Sequence, residues 1–385
     1  MTTFTNAQLI LPDSIQRGSL TVRAGHIASI RRNASLRPGS LDLHGGYLAP
    51  GFIDLHIHGA MGRDTMEASA DAFRAITEFH LRGGTTSLAL TTVTAAEDQI
   101  LRVLEAAKPF HNRALGGSRI AGVHIEGPFI SKEKPGAQNP NQIRHARADE
   151  WKKFLRYGAL VTEMTLAPEE KGALPLIRAL RANGSLASGG HTNATEEHLR
   201  LALAAGLNHA THTFNAMSTA VRRGPYRVAG MVEFALAHRE ICCELIADGV
   251  HVAPTLMKML FNAKGRDGVC LITDATGGAG LPPGTKFQVG DVSARVTKDA
   301  ALLTDGSALA GSTLTMIEAV RRAVQLGGAS VVDAVRMATR NPARQLGRDR
   351  ELGSLEAGKR ADLVWFDSQF RVRGVWLDGD VRFLA

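Results

Sequence analysis

From Phe52 onward, short apolar segments of strand length alternate with helical stretches, and this alternation constrains the fold more than any other feature of the chain. The pattern is typical of consecutive βαβ units. The strand-length segments are Phe52–His58, Thr86–Thr91, Ile120–Glu126, Val161–Leu166, Ser185–His191, His209–Phe214, Ile241–Ala247 and Val269–Asp274. Eight such units over roughly 220 residues predict an α/β fold, a TIM-type (β/α)8 barrel.

The two ends of the chain follow a different pattern, because short β-type segments occupy the first 50 residues and return after Leu355. We expect residues 1–50 plus 355–385 to pair into one small β-sandwich domain, with the barrel occupying residues 51–354. Within the barrel region, Lys286–Leu303 is expected to form hairpin strands after the eighth barrel strand. Helices are predicted over Leu314–Gln325 and Val331–Thr339.

Composition excludes several classes of function. The 385 residues carry a net charge of +8 that is spread along the chain, and aromatic residues are 5%, so we expect no nucleic-acid partner. No apolar run approaches the ~18 residues that span a bilayer, which predicts no membrane partner. With three cysteines and no secretory leader, the chain is expected to be cytoplasmic. The mild positive charge favours an anionic small molecule as substrate.

Polar residues with metal-ligand chemistry stand where the predicted strands end. Five of the eight strands end in or near His, Asp or Glu, and catalytic groups of a barrel lie at the carboxyl ends of its strands. In the first strand, alternation places His56 and His58 on one face with Cα atoms about 6–7 Å apart. Two neutral imidazoles at that separation can share one divalent ion.

The other strand ends strengthen this interpretation. Glu126 would be a buried acid at the barrel mouth, which is costly unless it ionises against a cation. His191, His212 and Asp274 follow later strands. Taken alone, each of these residues could equally be a hydrogen-bonded core residue or a metal ligand. Taken together, they predict a metal site. The chain has no Cys-x-x-Cys, Gly-x-Ser-x-Gly or Walker motif, so we expect metal-activated water to be the hydrolytic group.

Several runs of sequence resemble a known family. The segment Pro50–His58 is similar to the opening of the amidohydrolase superfamily. Other runs resemble the N-acetylglucosamine-6-phosphate deacetylases of that superfamily: His124–Phe129, Gly190–Ala194, His212–Met217, Ala247–His251, Thr273–Ala275, Leu309–Met316 and Gly353–Asp362. Together these runs are distributed over essentially the whole chain.

The resemblance implies a metal site formed by Glu126, His191 and His212, and a second one in which His56 and His58 share Glu126. Some members of the family lack the His-x-His pair and use a single metal, so one or two ions per subunit are expected here. Imidazole and carboxylate ligands suit zinc, iron, cobalt or manganese, and zinc is our prediction.

The resemblance also implies the reaction, which is removal of the acetyl group from N-acetyl-D-glucosamine 6-phosphate in amino-sugar catabolism. The products are D-glucosamine 6-phosphate and acetate. Asp274 is expected to take a proton from the metal-activated water and to return it to the departing amine.

On the substrate side, the resemblance implies that His251 and an arginine bind the phosphate. The arginine is expected to come from the neighbouring subunit of a homodimer. An apparent extra residue in that loop leaves Arg222 and Arg223 as alternatives, with Arg222 favoured. The other residues expected to contact the sugar are Ala137, Gln138, Asn215, Ala216, Asp248, Gly249, Leu309, Ala310 and Gly311.

One residue departs from the family pattern, because Gln138 stands where the family usually has a histidine. Glutamine donates and accepts hydrogen bonds but is not protonated near neutral pH. The preferred substrate is therefore left open between N-acetylglucosamine 6-phosphate and a related amide, such as N-acetylgalactosamine 6-phosphate, an N-acyl amino acid or a cyclic amide. A non-catalytic barrel that binds a phosphorylated sugar or acts as a scaffold is the alternative from another class.

Overall fold

Eight parallel strands form a barrel in the computed structural model, which describes residues 1–32, 39–298 and 300–385. The strands are Phe52–Ile57, Thr85–Thr92, Arg119–Glu126, Val161–Leu166, Leu186–Gly189, His209–Ala210, Cys242–Ile246 and Val269–Ile272. Each strand pairs with the next one along the chain. Their residues are almost all buried, as expected for a parallel sheet covered on both faces. The prediction of a TIM-type barrel is confirmed.

The barrel closes between its first and last strands, where the Asp274 amide donates to the His56 carbonyl oxygen at 2.9 Å. Three strands end two or more residues earlier than predicted, because the backbone beyond them leaves the extended conformation. The φ angle is +47° at His191, +30° at His212 and +50° at Asp274. These residues therefore lie in turns just after the strands, in a backbone region that is unusual for side chains other than glycine.

Helices surround the barrel, and the first of them illustrates why they form. Ser69 caps Ala70–Arg82 by accepting the Ala72 amide, and the helix buries the face that includes Phe73, Ile76 and His80. The other helices are Glu97–Ala107, Ala148–Leu155, Ala173–Asn183, Glu196–Ala205, Met231–Ala237, Pro254–Lys264, Met316–Gln325, Val331–Met337 and Arg340–Gln345. Short 3₁₀ turns occur at Thr65–Glu67, Lys108–Phe110, Pro140–Gln142 and Gly158–Leu160. No described helix combines the length and the apolar character needed to cross a membrane.

The two chain ends form one small β domain. Its strands are Thr2–Ile10, Ile15–Arg23, His26–Arg32, Leu41–Asp42, Tyr47–Pro50, Leu363–Phe366, Val372–Leu377 and Asp380–Leu384, all within one hydrogen-bonded sheet. Phe4 and Trp376 lie three strands apart along that sheet, yet their ring centroids are 4.9 Å apart. Since neighbouring strands are separated by about 4.8 Å, the sheet must fold over on itself. The predicted sandwich of both chain ends is confirmed, and its exact limits stay a prediction.

A small antiparallel sheet lies beside the barrel mouth, in the region where hairpin strands were predicted. Its strands are Lys286–Val289, Val292–Val296 and Ala301–Leu303, and residue 299 of the predicted segment lies outside the described residues. Phe287 and Val289 pack with Val93, which follows the second barrel strand. Two further hairpins join Gly59–Ala60 to Arg63–Asp64 and Val221–Arg223 to Tyr226–Val228.

Candidate active site

A cavity of about 220 Å³ opens at the carboxyl ends of the barrel strands. Twelve of the predicted site residues line it: His58, Glu126, Ala137, Gln138, His191, His212, Asn215, Ala216, His251, Asp274, Leu309 and Gly311. His56 is fully buried directly beneath, with its Nε2 atom 3.2 Å from that of His58. Residues from six barrel strands and their following turns therefore meet at one place.

The first group of candidate ligands consists of Glu126, His191 and His212. Oε1 of Glu126 is 3.2 Å from Nε2 of His191 and 3.0 Å from Nε2 of His212, and the two Nε2 atoms are 3.1 Å apart. Nδ1 of His191 donates to the Lys134 carbonyl oxygen at 2.9 Å. In the neutral His191 ring, Nε2 therefore carries a lone pair that points at the Glu126 carboxylate.

The second group consists of His56, His58 and Asp274. Oδ1 of Asp274 is 3.2 Å from Nε2 of His58 and 3.5 Å from Nε2 of His56. Glu126 reaches this group as well, since its Oε2 atom is 3.3 Å from Nε2 of His58. The Glu126 carboxylate thus lies between the two groups.

These residues fit a divalent metal. In each group, three nitrogen and oxygen ligand atoms of buried side chains converge within 4.8 Å of one another. Lone pairs of neutral imidazoles directed at carboxylate oxygens repel one another unless a proton or a metal cation lies between them. Imidazole and carboxylate donors are also the ligand types that first-row transition metals accept.

The charges at the site are consistent with cation binding. Burial raises the pKa of Glu126, but the neighbouring histidines, His56 above all, outweigh it and hold that pKa well below its usual range. Burial also raises the pKa of Asp274, but His56 and His58 outweigh it, so that this pKa is lowered. Burial lowers the pKa of His58, yet Asp274 and Glu126 raise it to about 9. Both carboxyl groups are therefore ionised at neutral pH, which is the form that binds a metal, and a metal bound at His58 would displace the proton of that ring.

Glu244 is a site residue that the sequence interpretation missed. Its Oε2 atom accepts from Nδ1 of His56 and from the backbone amide of His212, both at 3.1 Å. The first bond places the ring proton of His56 on Nδ1, so that Nε2 faces the cavity. The sequence feature that could have identified Glu244 is its position as a charged residue inside the otherwise apolar strand Cys242–Ile246.

Asp54 also supports the site from below and was not predicted. It accepts from the Thr273 hydroxyl at 2.6 Å, the Thr273 amide at 3.2 Å and the His56 amide at 3.3 Å. Burial raises the pKa of Asp54 to about 7. These bonds join the first and eighth strands at the place where the barrel closes.

Gln138, the departure from the family pattern, contacts the first ligand group directly. Its Oε1 atom accepts the Thr94 amide at 2.7 Å, which leaves its Nε2 atom to donate to Oε2 of Glu126 at 2.5 Å. Because a backbone amide can only donate, the orientation of the Gln138 side chain is determined. Gln138 therefore holds Glu126 and lines the cavity at the same time.

His251 is held by Asp248, whose Oδ2 atom accepts from Nδ1 of His251 at 2.6 Å. Oδ1 of Asp248 accepts the backbone amides of Val250 and His251, both at 2.8 Å. Burial lowers the pKa of His251, but the Asp248 carboxylate outweighs it and raises that pKa. The structure places Asp248 and Gly249 behind His251 and not on the cavity wall.

The remaining predicted residues are not brought to the cavity of this chain. Arg222 and Arg223 are exposed on the hairpin, and Ala310 is fully buried with its carbonyl oxygen accepting the Thr276 hydroxyl at 3.1 Å. Gly311 does reach the wall, and glycine is required there. Its φ angle is +61°, and a Cβ atom would lie 2.6 Å from the Asp274 carbonyl oxygen.

Comparison with known proteins adds to this geometry. Residues 47–382 match the Amidohydrolase family. The N-acetylglucosamine-6-phosphate deacetylase of Bacillus subtilis (strain 168) is 36% identical over 378 residues, which cover 96% of this chain and 94% of the relative. The N-acetylgalactosamine-6-phosphate deacetylase of Escherichia coli O157:H7 is 34% identical over 336 residues, 87% of each chain. A mutant N-acetyl-D-glucosamine-6-phosphate deacetylase from Mycobacterium smegmatis, in complex with N-acetyl-D-glucosamine 6-phosphate, superposes with a TM-score of 0.92 at 31% identity over 99% of both chains.

Proposed function

The chain belongs to the amidohydrolase family, and from this premise we propose that it removes the acetyl group from N-acetyl-D-glucosamine 6-phosphate. The products are D-glucosamine 6-phosphate and acetate. The observation that carries the proposal is the convergence of Glu126, His191, His212, His58 and Asp274 on one cavity. A non-catalytic scaffold would have no need to keep this complete set of ligands at the barrel mouth.

Glu126, His191 and His212 would hold one divalent ion, and His56 and His58 would hold a second one with Glu126 between them. When bound, such an ion supplies a Lewis acid toward the acetyl carbonyl and lowers the pKa of water from 15.7 toward about 7. We infer that the ion is zinc, because two imidazoles with one carboxylate are ligands that catalytic zinc sites use.

Asp274 is the proton carrier of the proposed reaction. Its pKa is lowered, so it is ionised at rest and can accept a proton at a carboxylate oxygen when water attacks the acetyl carbon. As the C–N bond breaks, Asp274 returns this proton to the departing amine nitrogen. The nitrogen leaves as a neutral amine and the acetyl group as acetic acid, which releases its remaining proton to bulk water and becomes acetate.

His251 is proposed to bind the phosphate. Its Nδ1 proton is engaged by Asp248, which leaves Nε2 as the atom available to a ligand in the cavity. The raised pKa favours the imidazolium form that attracts an anion. Backbone and side chains of Asn215, Ala216 and Leu309 would contact the sugar.

N-Acetylgalactosamine 6-phosphate is the second candidate substrate. Gln138 motivates it, because this side chain replaces the family histidine on the cavity wall, and one relative at 34% identity is named for that substrate. Thr94 and Glu126 each engage one hydrogen-bonding group of Gln138, so its second amide proton and the second lone pair of its Oε1 atom remain for a ligand.

Acetate release from four sugars tests the proposal. The panel is N-acetylglucosamine 6-phosphate, N-acetylgalactosamine 6-phosphate and the two unphosphorylated sugars. We expect the highest kcat/KM for the first compound, loss of activity with a chelator and recovery with zinc. Equal rates on phosphorylated and unphosphorylated sugars would contradict the phosphate role of His251, and a higher kcat/KM for the galactosamine compound would favour the second candidate.

The proton role of Asp274 has its own test. We expect Asp274→Asn to lower kcat by about 10³-fold or more, because an amide cannot accept the proton. Metal content, measured by mass spectrometry, should stay close to that of the wild type, since Glu126, His191 and His212 are unchanged. Full activity of Asp274→Asn would refute this assignment.

We infer that the working unit is a homodimer in which the hairpin Val221–Val228 reaches the neighbouring subunit. The hairpin is exposed, with Tyr226 exposed to 73%, and carries Arg222 and Arg223 away from the cavity of its own chain. We place the enzyme in the cytoplasm, a proposal supported by three buried cysteines that form no disulfide.

A further inference from the structure

The interior of the barrel beneath the active site is polar. Barrels of this type usually fill this space with layers of branched apolar side chains. Here Thr165, Ser188 and Thr211 form a chain of hydroxyl groups, with distances of 2.7 Å between Thr165 and Thr211 and 2.6 Å between Ser188 and Thr211. Nε2 of His124 lies 2.7 Å from the Thr165 hydroxyl. The interior thus provides a polar environment below the candidate metal ligands.

Three ionisable side chains meet beside these hydroxyl groups. Glu163, His209 and Glu244 come from the fourth, sixth and seventh barrel strands, and each is at most 1% exposed. Nε2 of His209 is 3.6 Å from Oε1 of Glu244 and 4.0 Å from Oε1 of Glu163. One ligand atom from each residue lies within 4.8 Å of the other two.

The side-chain nitrogen and oxygen atoms through which Glu163, His209 and Glu244 face one another, here called the facing atoms, lack hydrogen-bond partners. Within the described part of the chain, both oxygens of Glu163, both nitrogens of His209 and Oε1 of Glu244 make no hydrogen bond. Burying ionisable groups without compensation is strongly unfavourable, and native proteins almost always pair such groups or let them coordinate a metal. An occupant that interacts with all three side chains would remove this cost.

A proton is one possible occupant. The charges of Glu163 and Glu244 raise the pKa of His209 well above its usual value in spite of burial, and burial raises the pKa of Glu163 to about 8. A protonated His209 would nevertheless stay 3.6 and 4.0 Å from the two carboxylates, beyond normal hydrogen-bond distance. Its Nε2–H group would have no acceptor within hydrogen-bond distance among the described residues, so a proton alone leaves the facing oxygens of Glu163 and Glu244 without a close partner.

We propose that Glu163, His209 and Glu244 bind a divalent transition-metal cation inside the barrel, separate from the active site. Two carboxylates balance the charge of such an ion, and the third ligand is a neutral imidazole, a donor set that zinc accepts. The 3.6 Å between Nε2 of His209 and Oε1 of Glu244 matches two bonds of about 2.1 Å that meet at about 120°. The 4.0 Å to Oε1 of Glu163 requires that this oxygen move slightly inward or that its angle be wider, about 145°. A cation between the three side chains would therefore bind one unpartnered atom of each of them.

The proposed cation would also stabilise the active site through Glu244. While Oε1 of Glu244 faces the new site, its Oε2 atom accepts from His56 and from the His212 amide. Coordination at Oε1 would fix the rotation of the carboxylate, and with it the directions in which His56 and His212 present their Nε2 atoms. The role of the ion is positional, and the proposal does not depend on which amide the enzyme cleaves.

Metal counting and crystallography test this site. Wild type, Glu163→Gln and the control Glu150→Gln are produced with zinc in the medium, and metal per chain is measured by mass spectrometry. Glu150 is a matched control because it is also a buried glutamate, paired with Arg144 at a distance from the barrel interior. We expect Glu163→Gln to hold one zinc ion per chain fewer than the other two proteins.

Wild-type crystals grown with zinc give an answer that does not require any variant to fold. Anomalous difference maps recorded on both sides of the zinc edge should contain a peak about 2.0–2.2 Å from the facing atoms of Glu163, His209 and Glu244. The active-site ligands serve as an internal positive control. A peak at the active site without one at this cluster, or equal zinc contents of wild type and Glu163→Gln, would overturn the proposal.

Discussion

Among single residues, Glu244 has the widest influence on the candidate metal centre, because one of its oxygens accepts from a ligand of each group. His56 donates through its ring and His212 through its backbone amide, both at 3.1 Å. Nearby charges, the largest that of His56, hold the pKa of Glu244 well below its usual range in spite of burial. An ionised carboxylate in this position orients both histidines and makes the His56 ring a better metal ligand.

We expect Glu244→Gln to weaken metal binding at the active site about 10- to 100-fold, the usual effect of removing a carboxylate behind a ligating histidine. The measurement is the zinc concentration that restores half-maximal activity to chelated protein. Activity should return at high zinc, because the ligands themselves remain. The control Glu150→Gln, a buried glutamate paired with Arg144 away from the barrel interior, should need the same zinc concentration as the wild type. An unchanged requirement in Glu244→Gln would contradict the role of Glu244.

Among the helices, Ala70–Arg82 places a buried histidine in contact with the turn that follows the first barrel strand. His80 is fully buried, and its Nε2 atom lies 3.3 Å from the Gly59 carbonyl oxygen. Burial lowers the pKa of His80 to about 4. In the unfolded chain the pKa of histidine is about 6.5, so protons bind to the unfolded state first as the pH falls.

This difference predicts a pH dependence of stability. His80 contributes fully above pH 6.5, and its contribution is lost progressively between pH 6.5 and about pH 4. Between pH 7 and pH 5, the unfolding free energy of the wild type should fall by about 2 kcal/mol more than that of His80→Gln, which keeps an Nε2 donor but does not titrate. Urea unfolding at the two pH values measures the difference. Parallel losses in both proteins would show that His80 is not held neutral.

The elements also show where prediction from sequence works. Val161–Leu166 has the predicted limits, because its apolar residues and their flanking turns are local signals. The predicted strand Ser185–His191 ends at Gly189 in the structure, since His191 turns into a positive φ to face Glu126. Nothing in the local pattern marks that turn, because the conformation serves a contact with a distant part of the chain.

For the whole molecule, the proposed homodimer predicts complementation between two inactive variants. In a mixed dimer of Arg222→Gln and Asp274→Asn, an arginine that crosses to the neighbouring subunit leaves one site with both defects and one site intact. Equal amounts of the two chains form mixed dimers in half of the population, so about a quarter of wild-type activity should return. Separate homodimers of each variant are the controls.

Activity that stays at the level of the separate variants would mean that the arginine acts within its own chain or does not bind substrate. Arg223→Gln in the same mixing experiment decides between the two arginines. The expectation rests on the placement of both side chains on an exposed hairpin, outside the cavity of their own chain.

The barrel, the sandwich of the chain ends and the types of ligand at the strand ends could all be predicted from the amino-acid sequence, because periodicity and strand termini are properties of short segments. Three contacts could be seen only in the folded chain: Asp274 lies beside His56 where the barrel closes, Gln138 holds Glu126, and Glu244 supports His56 across 188 positions of the chain. Contacts of this kind form when the strands close into a barrel. They join residues that are far apart in the sequence, so no local periodic pattern marks these residues.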